Sequence, residues 1–107
     1  MEKDNYKTDI IFRVDNNRNF IGSPVFALFP HEVSTLNGLV NSYQHVGQHS
    51  SAEYSHCIAN SKPATPEEYK DLKREMEQGH GYNFNVVKKQ NYDKYLKSYY
   101  EVRGVKR

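Results

Sequence analysis

The chain has 107 residues, with 15 Lys and Arg against 13 Asp and Glu, nine Tyr, five Phe, no Trp and one Cys. That length suits one domain, and a mean hydropathy of -0.92 limits it to a small core. A lone cysteine excludes an internal disulfide framework, and no apolar run approaches the ~18 residues of a membrane span.

The opening Met1-Glu2-Lys3-Asp4-Asn5 lacks the apolar stretch of a secretory signal, so a cytoplasmic protein with no membrane partner is expected. Charge is uneven. Residues 1–87 carry 8 Lys/Arg and 11 Asp/Glu, whereas residues 88–107 carry 7 and 2. A basic end raises the question of acidic partners.

Lys7–Val14 reads as a strand, because Ile10, Phe12 and Val14 alternate with their neighbours. Asp15-Asn16-Asn17-Arg18-Asn19 is a turn, since Asn and Asp tolerate left-handed backbone. Pro24–Phe29 is a second strand, apolar on both faces and therefore in need of cover on both. Pro30 is expected to end it, because proline cannot donate to a ladder. A loop over 31–38 leads to a more polar third strand, Leu39–Val46.

Ser50 and Glu53 have the spacing of a capping box, with Tyr54, Cys57 and Ile58 following at helical spacing. Residues 50–59 are ambiguous between strand and helix, and a short helix is the favoured reading. Thr65, Pro66 and Glu68 give a second, clearer helix start. The helix over 66–78 places Tyr69, Leu72 and Met76 on one stripe and stops at Gly79 and Gly81. Tyr82–Lys88 reads as a strand with Tyr82, Phe84 and Val86 inward. Asn91 caps a last helix, Tyr92–Val102, which ends at Gly104. Its residues Tyr92, Tyr95, Leu96, Tyr99 and Val102 share one face.

These elements make an α+β fold: a mostly antiparallel sheet of about four strands, one or two helices on one face, and a C-terminal helix. Residues 1–90 form the α+β domain. Residues 91–107 are a tyrosine-rich basic helix and tail that packs on the same domain or at a dimer interface.

Chemistry-bearing residues concentrate at His45, His49, His56 and Cys57. Zinc needs about four such ligands converging on a tetrahedron. Here Gly47 breaks a helix through His45 and His49. On a strand the two lie ~13 Å apart, and adjacent His56 and Cys57 diverge. They are weak metal candidates, and no cofactor is expected. Cys57 is also poorly placed as a nucleophile, late in its helix where the dipole disfavours an anion. Gly47-Gln48-His49-Ser50-Ser51, leading into a capped helix, could form a small anion pocket. His45, Gln48, His49, Ser50 and Ser51 are the candidate binding residues. Tyr92, Tyr95, Leu96 and Tyr99 are the candidate interface. The terminal helix pairs Asp93 with Lys97 and Lys97 with Glu101, the pattern of a solvated face. That leaves Lys88, Lys89, Arg103, Lys106 and Arg107 for a nucleic-acid patch, which is not favoured.

Tyr43-Gln44-His45-Val46-Gly47-Gln48-His49-Ser50-Ser51-Ala52-Glu53-Tyr54, Lys62-Pro63-Ala64-Thr65-Pro66-Glu67-Glu68-Tyr69 and Gly81-Tyr82-Asn83-Phe84-Asn85-Val86-Val87-Lys88 resemble segments of a set of small proteins from bacterial phages and mobile elements. The likeness spans roughly residues 8–90. It implies an accessory role in a mobile element or a phage–host interaction and carries no catalytic residue with it.

The sequence reads as a non-enzymatic protein-binding module, with a homodimer as one form of partnership. The alternatives are a metal- or ligand-binding protein or enzyme using His45, His49 and His56, and nucleic-acid binding through the basic tail. There is no Walker loop, GxGxxG, CxxC or HExxH motif.

Overall fold

The computed structural model describes residues 7–16, 25–44, 48–80 and 83–104, with backbone alone at 48–50 and 80. In chain order the elements are β1 (Thr8–Asp15), β2 (Val25–Val33), β3 (Val40–Gln44), β4 (Gln48–Ala52), α1 (Tyr54–Ala59), β5 (Ser61–Pro63), α2 (Pro66–His80), β6 (Phe84–Val86) and α3 (Tyr92–Val102). The fold is α+β, and the sheet runs β4-β3-β2-β1-β5 with antiparallel neighbours. β6 shares the outer edge of β1 with β5, pairing parallel to Thr8–Ile10 while β5 pairs with Arg13–Asp15.

Alternation along β1 and β2 builds two cores. Ile10, Phe12, Val14, Ala27 and Phe29 pack with Leu72 and Met76 of α2. Ile11, Phe26, Leu28, Val33 and Val40 pack on the other face, against Tyr54, Cys57 and Ile58 of α1 and Tyr95 and Tyr99 of α3. The second strand therefore has cover on both faces, as its doubly apolar sequence requires. Arg13 is buried on the α1 side. Its Nε donates to Ser61 Oγ (2.8 Å), and its Nη2 donates to the Ser61 and Ile58 carbonyls (2.8 and 3.1 Å).

The start of α2 is the capping box read from sequence. Thr65 N donates to Glu68 Oε1 (2.9 Å), and Glu68 N donates to Thr65 Oγ1 (3.2 Å). The helix runs two residues past its expected stop, through Gly79 to His80. α3 spans its expected limits: Asn91 Oδ1 accepts Lys94 N (3.1 Å), and Gly104 follows at φ +75°.

Four expectations are corrected. Pro30 does not end β2. The strand continues to Val33 with Pro30 buried inside it, where the register against β3 shifts between Phe29 and Val33, so an absent N–H breaks no regular ladder. Ser50 starts no helix. Pairing with β3 claims Gln48–Ala52, and α1 begins at Tyr54 with Glu53 as its cap, accepting His56 N at 2.6 Å. The strand expected over 82–88 shortens to Phe84–Val86, because parallel pairing reaches only Thr8–Ile10. Within it Phe84 is buried, but Val86 is 39 % exposed rather than inward. The sheet gains two short strands, β4 and β5, that the sequence pattern does not separate from their surroundings. The expected turn at 17–19, and Tyr82 and Gly81, lie outside the described residues. No helix among the described residues is long and apolar enough to cross a membrane.

Candidate functional site

Four of the candidate binding residues, Gln48, His49, Ser50 and Ser51, fall on β4, the strand at one end of the sheet. β4 pairs with β3 in one continuous register, Val40 with Ala52 through Gln44 with Gln48. Among the described residues, no strand pairs with its other side.

Which peptide groups point outward follows from alternation. Ser34 N donates to Leu39 O at 2.7 Å, so Leu39 and every second residue after it, Asn41 and Tyr43, turn their backbone groups toward β2. Val40, Ser42 and Gln44 then face β4 and bond Ala52, Ser50 and Gln48. The same parity follows independently from β1, where Ile10 and Phe12 bond the opposite edge through Val87 N (2.8 Å) and Ala64 N (3.1 Å). His49 and Ser51 are left with N–H and C=O groups directed away from the sheet. Natural edges are commonly guarded by Lys, Pro or a bulge. β4 reads Gln-His-Ser-Ser-Ala and is unbulged, so it has none of the three.

The anion pocket expected at 47–51 is not formed by a helix start, because residues 48–51 are strand and the helix begins at Tyr54. His45 and Gly47 lie outside the described residues, as do the side chains of Gln48, His49 and Ser50. Ser51 is exposed, its Oγ 2.6 Å from Ser34 Oγ. His56 is exposed on α1, and Cys57 is half-buried beneath it. Burial first, then Glu53 and Asp15, push the Cys57 thiol above its usual range, which disfavours a thiolate. Among the described residues, no three His, Cys, Asp or Glu side chains gather as a metal site would need.

A polar cluster that the sequence does not reveal lies at the start of α3. Asp9 Oδ2 accepts from His31 Nδ1 (2.9 Å) and Lys94 Nζ (3.1 Å), and Asp9 Oδ1 accepts from Asn85 Nδ2 (2.9 Å). The other ring nitrogen of His31, Nε2, accepts the backbone N–H of Asn91 at 2.7 Å. These contacts assign one tautomer, with the proton on Nδ1. Burial raises the Asp9 carboxyl, but the hydrogen bonds from Asn85, Lys94 and His31 outweigh it and hold it below its ordinary value. Burial also governs His31 and lowers its pKa, against the opposing pull of Asp9. A groove of about 430 Å³ opens beside the cluster, over Lys7, Glu32, Lys97 and Glu101. The dyad resembles a catalytic His–Asp pair, yet both ring nitrogens are spent on holding α3 to β1 and β2, so the imidazole offers the groove no base. Asp9 and His31 stand 22 residues apart, and only the strand register joins them, so no local motif could have marked them.

The tyrosine face is divided. Tyr95 and Tyr99 pack on the second core, Leu96 is half-buried, and Tyr92 is 65 % exposed. Tyr95 stacks with both Tyr92 and Tyr99, centroids 6.2 and 6.0 Å apart. Two of the four candidate residues are thereby engaged within the chain rather than open to bases or a partner. The basic residues are also partly engaged: Lys94 on Asp9, and Arg103 on the Leu36 carbonyl (2.9 Å) and over the Tyr99 ring.

No family model matches the chain, and comparison with curated proteins and with solved structures found no match.

Proposed function

We propose that the protein is a non-enzymatic binding module that takes an extended protein segment along the open edge of β4. The observation that carries this reading is an uncharged edge, unpaired among the described residues, on which His49 and Ser51 direct two N–H and two C=O groups outward. Added strands are held by such main-chain bonds. Gln48, His49, Ser50 and Ser51, expected from sequence to bind, fall in the same segment, and the engagement of the His31–Asp9 pair within the fold weighs against a general base there. An accessory role in a phage or mobile element, implied by the resemblance of residues 43–54, 62–69 and 81–88, belongs to the same proposal. So does a cytoplasmic setting, which the single free cysteine favours.

Ser51→Pro is the test. It deletes one outward N–H and the exposed Ser51–Ser34 hydroxyl contact, and leaves the ladder to β3 intact, since the Ser51 peptide groups do not bond that strand. A partner captured from host lysate by the wild-type chain should be lost by this variant while its circular dichroism and unfolding midpoint hold. Retention of the partner by a folded Ser51→Pro chain would sink the proposal.

A further inference from the structure

We propose that His31 is a proton-operated latch on α3: the neutral imidazole holds the helix against the sheet, and the imidazolium releases it. The two ring nitrogens serve different elements. Nδ1 donates to Asp9 Oδ2 on β1 (2.9 Å), whereas Nε2 accepts the backbone N–H of Asn91, the cap of α3 (2.7 Å). A second proton on the ring leaves the first contact in place and makes it an ion pair. The other contact becomes two N–H groups facing each other and cannot survive. The added charge also acts against the helix. Lys94, in the first turn of α3, places its Nζ on the same Asp9 Oδ2 (3.1 Å), so the imidazolium meets a like charge there. The helix N-terminus adds partial positive charge in the same place, which the exposed Asp93 offsets only in part. The proton therefore keeps His31 on the sheet and pushes α3 away. Of the other charged groups around the ring, Glu32 on β2 and Glu101 on α3 favour the imidazolium. Lys7 before β1, Lys89 ahead of α3 and Lys97 on α3 oppose it. Among the described residues none of these five bonds the ring, so the contacts with Asp9 and Asn91 decide.

α3 is also an element that can open alone. It buries no residue fully, whereas α2 seats Leu72 and Met76 in the first core. Gln90 Nε2 donates to the Pro30 carbonyl (2.9 Å) and Ser98 Oγ accepts Val33 N (2.9 Å). With His31, three ties of the helix and its lead-in thus reach β2 between Pro30 and Val33, at the register shift with β3. Releasing them breaks no strand pairing, and elements held in this way open at lower free energy than the whole domain. Opening uncovers the face that Tyr95 and Tyr99 shield, formed by Leu28, Val33 and Val40. Burial first, then Lys94, keeps the docked imidazole below the ordinary 6.5 against the pull of Asp9. Release therefore takes up a proton, and the open fraction grows as pH falls through 6.5. The latch does not rest on the edge of β4.

Hydrogen exchange on the full chain between about pH 7.5 and about pH 5.5 tests the latch, with each rate corrected for the pH dependence of free amides. The Leu96, Ser98 and Tyr99 amides of α3 should open severalfold more at the lower end, one proton setting a limit of about tenfold over this range. The Leu72 and Met76 amides of α2 should hold. Equal gains in both helices would mean that the whole domain loosens, and no gain in α3 would mean that the proton does not open it; either result overturns the latch. His31→Gln offers a carbonyl to Asn91 N but takes up no proton, so α3 opening in that variant should be flat over the same range. A folded His31→Gln chain that keeps the response overturns the inference. Ring-nitrogen NMR on the wild-type chain needs no variant. His31 Nε2 should pass from unprotonated to protonated as the α3 amides lose protection, and a ring protonated on both nitrogens beneath a protected helix overturns the latch.

Discussion

The Tyr95 hydroxyl donates to the Gly38 carbonyl at 3.0 Å, and a Cβ at position 38 would stand 2.6 Å from that same hydroxyl. Gly38 also holds φ at +90°, a conformation that L side chains rarely adopt. One residue thus answers two demands, the turn between β2 and β3 and the close approach of α3. Gly38→Ala should cost about 2 kcal/mol, near the middle of the range for backbone strain, and should release Tyr95 from its seat. Chemical denaturation measures the loss. Tyr95→Phe, which removes only the hydrogen bond, should cost about 1 kcal/mol.

The cap of α2 is a second check. Thr65→Ala removes the hydroxyl that accepts Glu68 N. The expected loss is about 1 kcal/mol, with the m-value unchanged because no further surface opens. Unfolding in urea reads both quantities.

The contact of His31 with Asn91 predicts a dependence on pH. His31 takes up a proton less readily folded than unfolded. Its contribution to stability is complete above the ordinary histidine value of 6.5 and is lost as pH falls from there toward the lower folded value. Protonation would place an N–H at Nε2 against the Asn91 N–H. Asp9, held below its ordinary 3.8, adds a second loss as pH falls below that value. His31→Gln should remove the upper part of the pH–stability curve and only weaken the lower part, since Asn85 and Lys94 still hold Asp9. An unchanged curve in the variant would assign the upper slope to another group.

Removal of α3 should be costly. A chain ending at Gln90 lacks the cover that Tyr95 and Tyr99 give to Leu28, Val33 and Val40. Their partial burial is worth on the order of 3 kcal/mol in all. The Ser98 hydroxyl that accepts Val33 N (2.9 Å) is lost as well. The shortened chain should unfold at lower denaturant and bind a hydrophobic dye. Unchanged stability would mean that the helix rests on the sheet without supporting it.

The sequence is most legible where a signal is local. Thr65, Pro66 and Glu68 mark a helix start within four residues, and Asn91 and Gly104 bound the terminal helix. It is least legible where a distant strand decides the outcome. Ser50 and Glu53 have the spacing of a capping box, but β3 pairs with Ser50 and the helix start moves to Tyr54. Pro30 stops a regular ladder, yet it sits buried at a register shift that only the pairing with β3 creates. The candidate edge is legible in part, since His49 and Ser51 stand out for their side chains. What distinguishes them in the fold is the direction of their peptide groups, which depends on parity counted across three strands.

α3 follows β1, β2 and β3 in the chain, and that order has a consequence for synthesis. Val40 leaves the ribosome 59 residues ahead of Tyr99, roughly 3 to 12 seconds at cellular elongation rates. Throughout that interval the face formed by Ile11, Leu28, Val33 and Val40 lacks the tyrosines that will cover it. The nascent chain then has that apolar face covered in part only, by Tyr54, Cys57 and Ile58 of α1. Its solubility is therefore more exposed to chance encounters during translation than after the helix has docked.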